Sequence, residues 1–118
     1  MSVIRQYGLK RCSTCVKARK WLESQGAQVE FTDYRDEPAD AALLNAWANA
    51  AGGAQGMINR NSQTWRGLPE ARKAPASEED WLALAAEFPS LIKRPVTMFP
   101  NGAVTFGFNE KTLAVHLP

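Results

Sequence analysis

At 118 residues, with 45% apolar and 22% charged residues and a formal net charge of +2, the chain is sized for one globular domain with its own core. The composition excludes intrinsic disorder, and so mild a charge is too small for a nucleic-acid footprint, so no direct nucleic-acid partner is expected. No apolar run approaches the roughly 18 residues that span a bilayer, and "MSVIRQYG" lacks a signal-peptide layout, so a cytoplasmic monomer without membrane contact is expected.

Residues 2 to 7, "SVIRQY", are β-prone and run into Gly8, which predicts a first strand. Ser13 and Thr14 suit a helix start, and Cys15, Ala18 and Leu22 then share one helical face, with Trp21 beside them and Gly26 as the stop. "AQVEFTDY" alternates Val29 and Phe31 with polar residues and predicts a second strand, completing β-α-β. "DEPADAALLNAWANAAGG" repeats apolar residues at 44, 47, 48 and 51 and predicts an amphipathic helix ending at Gly52 and Gly53.

"MINRNSQTWRGLPEARK" is less regular and predicts a loop with one short helix carrying Thr64 and Trp65. "SEEDWLALAAEF" opens with a capping box from Ser77 to Asp80, places Trp81, Leu84, Ala85 and Phe88 on one face, and closes at Pro89. "RPVTMFPNGAVTFGF" predicts two short strands joined by Asn101-Gly102, and "NEKTLAVHLP" a last short helix capped by Asn109. This order predicts a single domain over 1–118 of α/β class. Its plan is a thioredoxin-like fold: β-α-β, then β-β-α, a four-stranded mixed sheet, with a helical insertion at about 38–89 between the halves.

The two cysteines, Cys12 and Cys15, lie in "YGLKRCSTCVKARKWLE", between the first strand and the first helix. Cys12 falls at or just before the first helical turn, where unpaired N–H groups and the positive end of the helix dipole favour an anion. A thiolate there is stabilised below the ordinary pKa of about 8.5, with Lys10, Arg11 and Arg94 as candidate cations. Cys15, one turn on, is spaced to attack a mixed disulfide on Cys12. The two other uses of such a pair are weaker. Structural zinc wants four N or S ligands, against two cysteines and the distant His116, so no metal is expected. Inert burial suits Cys15, on the inner helix face, better than Cys12. The tryptophans read as core residues and His116 as a surface or packing residue.

"YGLKRCSTCVKARKWLE", "FTDYRDEP", "NRNSQTWRGL", "LIKRPV" and "GFNEKTL", in that order from Tyr7 to Leu113, resemble the arsenate reductase (ArsC)/Spx/YffB family. The resemblance implies the same thioredoxin-like fold with a helical insertion. It implies that Cys12 is the catalytic thiol, that Arg60 and Arg94 hold an oxyanion or carboxylate, and that Pro95 is a cis-proline facing the thiol. A guanidinium fork suits both kinds of anion. No cofactor is implied.

Within the family, the third arginine of the arsenate reductases is missing from "TFGFN", which weakens arsenate as substrate. "NSQTWRGL" and "LIKRPV" look like the YffB branch and imply a glutathione-dependent thiol reductase, with glutathione as co-substrate and Cys15 as resolving thiol. The C-x-x-C looks like the Spx branch, redox-sensing regulators that bind the C-terminal domain of the RNA polymerase α subunit, with Gly52 matching a contact glycine. Without that resemblance Gly52 reads as a helix C-cap.

Overall fold

The computed structural model describes residues 3–117. The chain divides into two compact units, one formed from Met1–Glu37 and Arg94–Pro118, the other from Pro38–Lys93.

In the first unit Val3–Gly8 forms strand β1, Ser13–Ser24 helix α1 and Gln28–Asp33 strand β2. After the second unit the chain returns as Val96–Met98, β3, and Val104–Phe106, β4. The sheet order is β2-β1-β3-β4. β1 and β2 are parallel, with Gly8 opposite Asp33 at their C-terminal ends, while β3 is antiparallel to both β1 and β4. This is the mixed α/β sheet of a thioredoxin-like fold.

Alternation along β1 buries Ile4, Gln6 and Gly8 on one face. Ile4 packs there with Leu22, Phe99 and Leu113, bringing α1 and the last helix onto the sheet. Truncating one of these to alanine should cost about 2–5 kcal/mol. Gln6, Thr97 and Thr105 lie in one cross-strand row, and all three are buried. Gln6 donates to the Thr97 hydroxyl at 3.2 Å, whereas Gln6 Oε1 and Thr105 Oγ1 have no hydrogen-bond partner.

Asn101 and Gly102 do join β3 to β4, but not as a two-residue turn. Gly102 donates to the Phe99 carbonyl at 2.9 Å, so Pro100 and Asn101 occupy the centre of the turn. Gly102 follows with φ +90, and no described residue other than glycine has positive φ. Pro100, its φ fixed near −65°, selects this turn, and the left-handed step falls on glycine.

The second unit holds Ala41–Ala50, α2; Gln63–Arg66, α3; and Glu78–Glu87, α4, with 3₁₀ turns at Ala54–Met57, Glu70–Lys73 and Pro89–Leu91. The final helix of the chain, in the first unit, is Glu110–Ala114, α5. Side chains cap each helix of the second unit: Asp40 accepts from Leu43 N–H, Ser62 from Trp65 N–H and Ser77 from Asp80 N–H. Asp80 reaches back past the N-cap to Ala76 N–H at 3.3 Å. α2 and α4 touch, and Leu44, Trp47, Ala48, Leu84 and Ala85 are buried. An isolated bridge between Ile58 and Ile92 ties residues 57–59 to 91–93.

Candidate active site

The loop after β1 is shaped by the end of β2. Asp33 Oδ2 accepts from Lys10 N–H at 3.0 Å and Oδ1 from Arg35 N–H at 2.9 Å. Lys10 N–H foremost, against the effect of burial, and then Arg35 N–H hold the Asp33 carboxyl below the usual carboxylate range. Within the loop Cys12 N–H donates to the Leu9 carbonyl at 3.0 Å. This fixes Cys12 as the N-cap of α1, extended at φ −76, ψ 123.

Cys12 is half-buried and Cys15 is buried, and both are free thiols. Cys12 makes no conventional capping bond of the serine kind. Its sulfur instead meets groups that favour the anion. Burial alone would raise the thiol, but the Cys15 N–H, the Arg94 guanidinium, the Cys15 side chain and the Thr14 N–H outweigh it. The net pKa lies below the ordinary thiol value. The thiol so lowered stands at the start of α1 with Arg94 beside it.

Cys15 has the opposite environment. Burial, reinforced by the charge of Cys12 and opposed by the Leu9 backbone, pushes its thiol up to about 12. The space for its sulfur is left by Gly8: a Cβ there would stand 2.6 Å from Cys15 Sγ and 3.7 Å from Pro95 Cα. The Arg94–Pro95 peptide is cis, Pro95 is buried, and its carbonyl accepts from Gly107 N–H at 2.9 Å.

Arg94 is itself held. Burial disfavours its charge, but the Cys12 and Tyr34 side chains hydrogen-bond to it and more than compensate. Tyr34 is 1% exposed at the end of β2, and burial raises its hydroxyl pKa while Arg94 opposes the rise. Cys12, Cys15, Arg94 and Pro95 thus come together in the first unit.

The other two expected anion-holding residues have their own surroundings. Lys10 contributes its backbone N–H to the loop, while its ammonium pairs with Asp36 at 3.2 Å in an exposed position. Arg60 is exposed in the second unit. Its guanidinium lies 5.2 Å from the Trp81 ring centre and 5.7 Å from that of Trp65, and those rings stack 5.8 Å apart at 7°. Among the described residues no group of three or more His, Cys, Asp or Glu side chains is arranged to hold a metal.

Sequence reasoning passed over Asp33, Tyr34, Gly8 and the Trp65–Trp81 pair. A signal for the first two existed. Parallel pairing of two strands linked by one helix sets their C-terminal ends side by side, and "FTDYRDEP" therefore had to border the thiol loop.

A model of the ArsC family matches residues 7–115. An uncharacterised protein of Haemophilus influenzae is 38% identical over 92% of this chain and 94% of its own. The solved structure of a protein titled YFFB is 36% identical, covers 98% of this chain and 99% of its own, and superposes with a TM-score of 0.88. A protein of Streptococcus mutans named Global transcriptional regulator Spx is 27% identical over 91% of this chain and 77% of its own.

Proposed function

The chain belongs to the ArsC family, and on that footing we propose that it is a thiol–disulfide-active protein, a glutathione-dependent thiol reductase with Cys12 as nucleophile. The observation that carries the reading is the Cys12 sulfur at the cap of α1 with Arg94 beside it, which shifts the thiol toward the thiolate. The thiolate attacks the glutathione sulfur of a glutathionylated protein, or either sulfur of oxidised glutathione. A bond forms from Cys12 to that sulfur, the old S–S bond breaks, and the departing sulfur takes up a proton from water.

From its spacing Cys15 is the expected resolving thiol. Burial foremost keeps the Cys15 thiol protonated, with its pKa pushed up to about 12. Resolution therefore falls to a second glutathione, whose thiolate attacks the mixed disulfide, re-forms Cys12 and leaves as oxidised glutathione. Arg94 is assigned to a carboxylate or other anionic group of the ligand, and the backbone beside Pro95 to its peptide. The test is intact-protein mass spectrometry after exposure to oxidised glutathione. The expected result is one adduct on Cys12, absent in Cys12→Ser, formed at least tenfold more slowly in Arg94→Ala, and retained with turnover in Cys15→Ser. No adduct at Cys12 overturns the reading.

A second reading is a redox-sensing regulator docking on the C-terminal domain of the RNA polymerase α subunit. It is favoured by the C-x-x-C itself and by likeness to the Spx protein of S. mutans. Saturable binding of that purified domain, with no glutathione adduct on Cys12, would put this reading in place of the first.

A further inference from the structure

Positive charge is not spread evenly along the chain. Residues 9–24, the thiol loop and α1, carry Lys10, Arg11, Lys17, Arg19 and Lys20 against Glu23 alone, so the rest of a chain of net charge +2 is net negative. Two of these cations are already engaged. The Lys10 ammonium pairs with Asp36 at 3.2 Å, and the Arg19 guanidinium lies 5.1 Å from the centre of the Phe31 ring. Arg11, Lys17 and Lys20 are exposed, and among the described residues no carboxylate pairs with any of them.

Helical spacing sets what surrounds Lys17 and Lys20. They stand three residues apart and share one outward stripe with Ser13 and Ser24, opposite the buried Cys15, Ala18 and Leu22. Glu23 follows Lys20 by three residues and Arg19 by four but pairs with neither, and it falls on the flank away from Lys17. Trp21, four residues after Lys17, is half-buried. It packs against the cluster of Ile4, Leu22, Phe99 and Leu113, with the Phe108 ring 6.3 Å away at 57°. An indole held from below and partly open above is a rigid apolar anchor beside two free ammonium groups.

The stripe leads away from the thiol. Cys12 caps α1, and nine residues of helix set Trp21 about 14 Å further along the axis. An extended chain covers that length in about four residues. A protein whose glutathionylated cysteine is presented to Cys12 can therefore lay the residues flanking that cysteine along the stripe.

We propose that the outer face of α1 docks an acidic segment of a protein substrate, with carboxylates on Lys17 and Lys20 and one apolar side chain on Trp21. This deepens the function proposed above by naming its substrate class, and it rests on that reading for the exchange at Cys12. The surplus positive charge also speeds encounter with acidic surfaces at low salt.

The test is a nitrogen-15 NMR titration of the Cys12→Ser protein at low salt. The probes are end-blocked peptides of about five residues, in which serine replaces the cysteine and is followed by glutamates and one leucine. Counterparts with glutamine or lysine for glutamate, and S-methylglutathione as a small anion, complete the set. The expected result is saturable millimolar binding of the acidic peptide, with shifts at the Lys17 and Lys20 amides and the Trp21 indole N–H. The glutamine counterpart should bind about tenfold more weakly and the lysine counterpart more weakly still. Lys17→Gln and Lys20→Gln should each weaken the acidic peptide about two- to fivefold, the range of an exposed ion pair, whereas Arg66→Gln in the second unit should leave it within about twofold. Replacing the peptide leucine by glycine should weaken binding about threefold and remove the indole shift.

No saturable binding, equal affinity for the glutamate and glutamine peptides, shifts away from α1, or indifference to both lysine variants would overturn the docking face. Equal shifts on α1 from S-methylglutathione would overturn the assignment to a protein segment. Because the measurement omits the Cys12 thiol, a missing glutathione adduct on the parent protein counts against the thiol chemistry alone.

Discussion

At the scale of single residues, the site turns on a guanidinium with two neighbours. Arg94 faces the Cys12 sulfur and is held by the Tyr34 hydroxyl, so the state of the thiol depends on a tyrosine outside the thiol loop. In Tyr34→Phe the ring remains in its buried site and only the hydroxyl is lost. The midpoint of pH-dependent alkylation at Cys12 should then rise toward the ordinary thiol value of about 8.5, and rise further in Arg94→Gln, where the charge itself is gone. Identical midpoints in the parent and both variants would remove Arg94 from the account. Arg60 differs in kind: its neighbours are aromatic faces, which set its direction without neutralising it.

At the scale of elements, the ends of β1 and β2 and the start of α1 act as one device. Asp33 fixes the loop by two backbone N–H groups, and Gly8 leaves the space that Cys15 fills. A methyl at position 8 would meet the Cys15 sulfur at 2.6 Å. Gly8→Ala should therefore destabilise the protein by about 1–3 kcal/mol in denaturant titration. Adding Cys15→Ala should recover most of that loss, because the two side chains compete for one space. A double variant whose loss is merely the sum of the two single ones would show that the clash is relieved elsewhere. The buried hydroxyl of Thr105 has no partner in the same sheet, and it marks a polar row across three strands rather than a part of the thiol site.

At the scale of the whole molecule, burial of a protonated thiol links the fold to pH. The Cys15 pKa is raised to about 12 in the folded state, above its unfolded value of about 8.5. The stability it contributes is fully present below pH of about 8.5 and is lost progressively as the pH climbs toward the folded value. The denaturant midpoint of the parent protein should thus fall more between neutral pH and pH of about 10 than that of Cys15→Ala. Equal falls in the two proteins would mean that Cys15 is not protonated by burial.

The order of strands and helices, the caps at Ser77 and Asn109, and a thiol at the start of α1 are local properties, so the sequence by itself determined them. Alternation, helical spacing and side-chain caps act over a few residues and can be read there. The same is true of part of what lowers the Cys12 thiol pKa, the helix-end amides near it in the chain. Turn type at the hairpin was less legible, because Pro100, one place before Asn101-Gly102, moved the centre of the turn.

What only tertiary structure decided is which distant groups meet. Sheet register brings Arg94 to Cys12 and Tyr34 to Arg94, and it sets Gly8 between Cys15 and Pro95. Packing of α3 against α4 builds the ring pair under Arg60. Such meetings follow from pairing and burial summed over the whole chain, so no short stretch of residues contains them.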